Sequence, residues 1–200
     1  MRKNLIKIIE GLDTLTGLVE LELYDNKIEV IENLDHLTEL VLLDLSYNNI
    51  KKIEGLDKLK KLQNLYLLSN RLVKIENVSG FQQLKQIELG SNKIEKIENL
   101  FNLPSLTNLV LAKNHIKKIE NLEMIKHITT LNLTCNYIKK IEGLDELTEL
   151  EELYLAENQI QNIEGLENNK KLTIIDLSFN KIRYIEGLSH LTGLIDLWVS

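Results

Sequence analysis

The sequence predicts an α/β solenoid: one curved stack of 22-residue units, with a parallel β-sheet on its concave face and short 3-10 helices on its convex face. Two ladders of polar residues carry that prediction. Asparagines stand at 4, 26, 48, 70, 92, 114, 136, 158 and 180, and glutamates at 10, 32, 54, 76, 98, 120, 142, 164 and 186, every step being 22 residues. The third observation is an apolar pattern of the same period, as in Leu18, Leu21, Leu23, Ile28, Ile31, Leu34 and Leu37. Such self-similarity marks a stack of supersecondary units, each too small to bury its apolar side alone.

The unit reads LxxLxLxxNxIxxIExLxxLxx, which matches the leucine-rich repeat pattern in its short form. Within it, LxL alternates like a strand, so the leucines point to one face and the intervening residues to the other. The asparagine after the strand both donates and accepts, and can satisfy backbone groups that the bend would leave unpaired. Each ladder glutamate is followed by Gly or Asn, from Gly11 and Asn33 to Gly187. Both residue types tolerate positive φ and both cap helices, so either role is open. A 22-residue unit leaves little room for an α-helix, hence the expectation of 3-10 segments. The whole of 1–200 reads as a single domain: about eight full repeats, 18–193, between two partial ones. Neither partial repeat carries a polar cap, so the chain is expected to be a piece of a longer protein.

Composition narrows the function. With 24 Lys and Arg against 30 Asp and Glu the net charge is −6, which argues against sequence-independent binding to nucleic acid. No apolar run exceeds four residues, as in Leu40 to Leu43, so no membrane-spanning helix is expected. Residues 1–7 lack the apolar stretch of a signal peptide. One cysteine, Cys135, allows no intrachain disulfide, which points to a reducing location, nucleus and cytoplasm.

Catalytic and cofactor signatures are missing: there is no GxGxxG, GxxxxGK[ST], HExxH or paired-cysteine motif. His36, His115, His127 and His190 do not gather on one face as metal ligands. Cys135 has Lys113 and Glu157 as its expected neighbours, neither of them a base suited to activating a thiol. Asn77-Val78-Ser79 and Asn132-Leu133-Thr134 match glycosylation acceptors by coincidence. Lys52, Lys74, Lys96, Lys118 and Lys140 lie two residues before ladder glutamates, so the glutamate ladder reads as a paired surface stripe. The expectation is a protein with no catalytic residue, no metal site and no cofactor.

The concave face carries the functional signal. Its centre column runs Glu22, Asp44, Tyr66, Glu88, Val110, Asn132, Tyr154, Asp176 and Trp198, flanked by Glu20, Tyr24, Asp25, Tyr47, Lys113, Glu152, Glu157, Phe179 and Asp196. Nine of these residues are acidic and one is basic, and six of the chain's ten aromatics stand among them. Rigid aromatic side chains set among carboxylates on a curved sheet make a protein-binding surface.

Three stretches carry a closer resemblance: Ile50-Lys51-Lys52-Ile53-Glu54-Gly55-Leu56, Leu89-Gly90-Ser91-Asn92-Lys93-Ile94, and Ile163 to Thr173. Together they resemble the leucine-rich-repeat regulatory subunit of protein phosphatase 1, the regulatory subunit 7 family, along essentially the whole chain. That resemblance implies a concave face that grips the phosphatase catalytic subunit, with contacts at Asp44, Tyr66, Glu88, Val110, Asp176, Asp196 and Trp198. Six of the seven are acidic or aromatic residues that the column reading selects unaided, and that reading adds Tyr154. The family has Phe where Tyr66 and Val110 stand and Glu where Asp196 stands. Two other binding roles remain open: a cilium- or microtubule-associated adaptor, and a ribonucleoprotein component.

Overall fold

A computed structural model of the chain describes residues 4–200. Nine strands of three residues form one parallel sheet in sequential order: β1 (Glu20–Glu22), β2 (Leu42–Asp44), β3 (Asn64–Tyr66), β4 (Gln86–Glu88), β5 (Asn108–Val110), β6 (Thr130–Asn132), β7 (Glu152–Tyr154), β8 (Ile174–Asp176) and β9 (Asp196–Trp198). Every pair is in 22-residue register, as Leu43 beside Leu65 and Leu65 beside Ile87. The middle residue of β2 to β8 is buried and its neighbours on either side are half-buried. This is the alternation that an LxL segment dictates.

The core is one continuous column of Leu and Ile, joined by Val78 and Phe81, from Ile9 and Ile28 to Leu177 and Leu191. Each repeat contributes the same set, for example Leu43, Leu45, Ile50, Ile53, Leu56, Leu59 and Leu62, all essentially inaccessible to water.

The asparagine ladder stitches the stack together. Asn48 Nδ2 donates to the Leu45 carbonyl oxygen of its own repeat at 3.0 Å and to that of Leu23 in the preceding repeat at 2.9 Å. Its Oδ1 accepts the Ile28 N–H at 3.0 Å. The same set recurs at Asn70, Asn92, Asn114, Asn136, Asn158 and Asn180. Backbone polar groups that a tight bend would bury unpaired are thereby satisfied.

Gly or Asn after the ladder glutamate serves positive φ: Asn33 has φ 59° and Gly55 has φ 66°. Where the residue is Asn, its Nδ2 donates to the isoleucine carbonyl of the previous repeat, as Asn33 to Ile9 at 2.7 Å. Where it is Gly, the backbone occupies that space, and a Cβ on Gly55 would lie 2.6 Å from the Ile31 oxygen.

The convex side differs from the expected 3-10 helices. Among the described residues it carries isolated turns: Leu37 N–H donates to Leu34 O at 2.9 Å, and Leu40 N–H to Leu37 O at 3.0 Å. A 3-10 helix needs such bonds to start at successive residues. Here they start three residues apart, because Leu34, Leu37 and Leu40 must all point into the core.

One convex position departs from the apolar rule. Asn169 stands where Leu37, Leu59, Leu103 and Leu147 stand in other repeats, and it is fully buried. Its Nδ2 donates to the carbonyls of Leu144 and Leu147, both at 2.9 Å, while its Oδ1 has no partner.

Candidate functional site

Parallel register brings the sequence-selected residues into one row. Asp44 pairs with Tyr66, Tyr66 with Glu88, Glu88 with Val110, Tyr154 with Asp176 and Asp176 with Trp198. Asn132 bridges Val110 and Tyr154. Seven of the eight candidate residues therefore line the centre of the concave sheet at the roughly 4.8 Å pitch of adjacent strands. Asp196 stands in the neighbouring row, beside Ile174.

The short polar side chains of this row are held by their own backbone. Asp44 Oδ1 accepts the Ser46 N–H at 2.8 Å, Asn132 Oδ1 that of Thr134 at 3.0 Å and Asp176 Oδ1 that of Ser178 at 3.0 Å. These are Asx-turn bonds, which fix the carboxylate direction at the strand exit. Glu88 does the same with a longer arm, its Oε1 accepting the Gly90 N–H at 2.7 Å. The extra methylene needs room, and Gly90 provides it: a Cβ there would meet Glu88 Oε1 at 2.6 Å and the Ala112 carbonyl oxygen at 3.2 Å.

Burial pushes the Glu88 carboxyl up to about 7, against the opposing pull of the Gly90 N–H. Burial, together with the carboxylates of Asp44 and Glu88, also raises the Tyr66 phenol. Tyr154 is raised by burial first and then by Glu152, whose Oε2 accepts its hydroxyl at 3.0 Å. Thr130 Oγ1 donates to the same oxygen at 3.4 Å. At the two ends of the sheet the aromatics are open: the rings of Tyr24 and Tyr47 lie 4.9 Å apart, and Trp198 is 46% exposed.

A backbone feature of this face has no sequence signal. The residue before each ladder asparagine has positive φ in eight successive repeats: Asp25, Tyr47, Ser69, Ser91, Lys113, Cys135, Glu157 and Phe179, with φ from 52° to 58°. No shared chemistry links these side chains. The asparagine bonds impose the conformation, and it turns Tyr47 and Phe179 outward at the rim.

Gly90 stands in one of the stretches that carry the resemblance, but its role beside Glu88 is not evident there; a glycine two residues after the only glutamate between Asp44 and Asp176 in the centre row is its signal. His36 and His190 occupy equivalent positions in their repeats, and a ring nitrogen of each bonds a carbonyl of the preceding repeat, Leu12 at 2.8 Å and Leu166 at 2.9 Å. Cys135 is half-buried, and burial followed by Glu157 raises its thiol, which keeps it protonated and weakly nucleophilic. Among the described residues no group of three or more His, Cys, Asp or Glu could hold a metal ion, and no helix is long and apolar enough to cross a membrane. In the glutamate stripe, Lys52 pairs with Glu54 at 3.4 Å, Lys74 with Glu76 at 3.0 Å and Lys140 with Glu164 at 3.9 Å.

A family model described as leucine-rich repeat matches residues 5–116, and a second, described as leucine-rich repeats in two copies, matches 104–146 and 148–199. The chain belongs to the leucine-rich repeat family. No match is found among curated protein sequences. Among solved structures, this leucine-rich repeat chain is similar to an internalin (inlF) of Listeria monocytogenes, at 25% identity and TM-score 0.80, covering 98% of this chain and 64% of that one. It is similar to the functional domain of InlJ from the same organism at 26% identity and TM-score 0.80, covering 97% and 43%. That domain includes a cysteine ladder, whereas this chain carries asparagines in ladder and a single cysteine. A third likeness is to TLR13 in its complex with ssRNA13, at 28% identity and TM-score 0.84, covering 92% and 29%. The chain thus spans less than two thirds of the length of the two proteins named first.

Proposed function

We propose that this leucine-rich repeat chain is a non-catalytic protein-binding scaffold whose concave face binds the catalytic subunit of protein phosphatase 1, as a regulatory subunit does. Leucine-rich repeat proteins are generally interaction scaffolds, and a rigid curved sheet offers a preformed surface. The observation that carries the reading is the row running from Asp44 to Trp198, with carboxyl groups beside aromatic rings at Asp44-Tyr66-Glu88 and at Tyr154-Asp176-Trp198 and nine acidic residues to one basic across the face. Such a surface selects a basic partner by long-range attraction and anchors it through rings that lose little entropy on binding. The resemblance of the Ile-Glu-Gly and Ile-Glu-Asn stretches to the regulatory subunit 7 family supports the choice of partner. Any hydrolysis would belong to that partner. The reading also carries a nuclear and cytoplasmic location, which suits a chain with a single cysteine and no intrachain disulfide.

The experiment is association of the purified catalytic subunit with the immobilised chain at low and raised salt. The proposal expects a complex whose association slows as salt rises. Failure to form a complex at low salt would remove the phosphatase from the account. The same acidic face disfavours RNA as its ligand.

A further inference from the structure

A second surface of this molecule has the opposite charge. The four positions that follow each ladder asparagine form one flank of the solenoid, and fourteen of the chain's 24 lysines and arginines lie there against two acids, Glu29 and Glu95. Backbone bonds stack this flank repeat on repeat: His115 N–H donates to Ile94 O and Tyr137 N–H to Ile116 O, both at 2.8 Å. The side chains therefore stand in columns at the pitch of the repeats.

Compensation along the flank is uneven. Lys51 is paired with Glu29 at 3.0 Å and Lys74 with Glu76 at 3.0 Å, whereas Lys93, Lys96, Lys117, Lys118 and Lys139 make no ion pair among the described residues. Beside Lys117 and Lys139 of that unpaired group stands Tyr137, exposed, with its ring 5.9 Å from that of His115. Three shallow grooves meet at Tyr137. One of about 270 Å³ runs past Lys117 and Glu95, one of about 290 Å³ past Lys117 and Lys139, and one of about 510 Å³ past Lys113 and Glu157.

We propose that the flank around Tyr137 is a second docking surface, for an acidic polypeptide segment that lays carboxylates over Lys117 and Lys139 and an apolar side chain against Tyr137 and His115. Charge complementarity identifies the occupant. A short segment can seat its carboxylates in the groove between Lys117 and Lys139, which no acid lines, while a long phosphate backbone also meets Glu95 and Glu157 in the adjoining grooves and a net charge of −6. The two surfaces meet at the rim residues Lys113 and Glu157 but carry opposite charge, so a scaffold could hold a basic partner in its concavity and an acidic one on its flank.

The test is fluorescence anisotropy with a fluorescein-labelled peptide of about ten residues, glutamates around one central leucine, together with a uridine oligonucleotide of equal charge. Lys117→Glu combined with Lys139→Glu should weaken peptide binding by about tenfold or more, and Tyr137→Ala by about threefold. Lys60→Glu combined with Lys170→Glu makes the same charge change on the convex side and should leave affinity near wild type. Should a flank variant melt early, the neutral pair Lys117→Gln and Lys139→Gln replaces it. Absence of peptide binding to the wild type, equal weakening by the convex pair, or tighter binding of the oligonucleotide would each overturn the proposal.

Discussion

Glu88 folds back over Gly90: its Oε1 accepts the Gly90 N–H at 2.7 Å, and a Cβ at position 90 would lie 2.6 Å from that same oxygen. The carboxyl is thereby drawn down into the concave sheet between Tyr66 and Val110, where water is displaced. Its folded-state value of about 7 lies above the ordinary 4.5.

A raised carboxylate is a stability statement with a definite sign. Between pH 4.5 and about 7 the folded state holds a proton on Glu88 that the unfolded chain has released, so this group's contribution to stability falls as pH rises through that window. Below the window both states are protonated, the contribution is fully present and its pH dependence vanishes; above about 7 it is lost. Urea midpoints measured across this range for wild type and Glu88→Gln should converge toward acid and separate toward neutral, with the glutamine variant the more stable. Parallel pH profiles would contradict the burial of this carboxyl.

The asparagine ladder makes the second prediction. Asn114 Oδ1 accepts the Ile94 N–H at 2.9 Å, and its Nδ2 reaches the carbonyls of Leu89 and Leu111 at 3.0 and 3.1 Å. Asn114→Ala leaves the Ile94 N–H buried without a partner, at a cost of about 1–3 kcal/mol in denaturant unfolding. Leu111→Ala, which opens a cavity beside it, should cost about 2–5 kcal/mol. A wild-type midpoint for either would sink the stitched-core account.

Asn169 runs the other way. It occupies an apolar convex position, and its Oδ1 is buried without a partner. Asn169→Leu restores the residue found at this position in other repeats and should stabilise the protein by about 1–3 kcal/mol. A lowered melting temperature would show that its bonds to the Leu144 and Leu147 carbonyls outweigh the orphaned oxygen.

The repeat itself is legible because nearly every core position is a leucine or isoleucine spaced by 22 residues, with Val78, Phe81 and Asn169 as departures, and stacking offers them a single solution. The columns of the concave face follow from that register, so Asp44, Tyr66, Glu88, Val110, Tyr154, Asp176 and Trp198 could be aligned from sequence alone. Backbone detail was less accessible. The positive φ at Tyr47 or Cys135 is imposed by the bonds of the following asparagine, not by any preference of the residue that adopts it. The convex turns fail to join into 3-10 helices because three leucines per repeat must reach the core, a constraint of packing and not of propensity. The role of Gly90 depends on the length of the side chain two residues away, which column-by-column reading does not compare.

The central claim is that the concave face binds the phosphatase catalytic subunit, and titration calorimetry of face-specific variants tests it most directly. Trp198→Ala should weaken binding by about 2 kcal/mol or more, as hot-spot tryptophans do. Asp44→Lys and Asp176→Lys should weaken it in a salt-sensitive way, since both side chains are aimed by backbone bonds at the strand exits. Lys118→Glu, on the flank, should leave it unchanged. Circular dichroism establishes beforehand that each variant is folded, which matters most for Trp198 on the edge strand β9. Graded loss along the concave row with an unaffected flank variant is the result this account predicts, and equal affinity for the catalytic subunit across all four variants would contradict it.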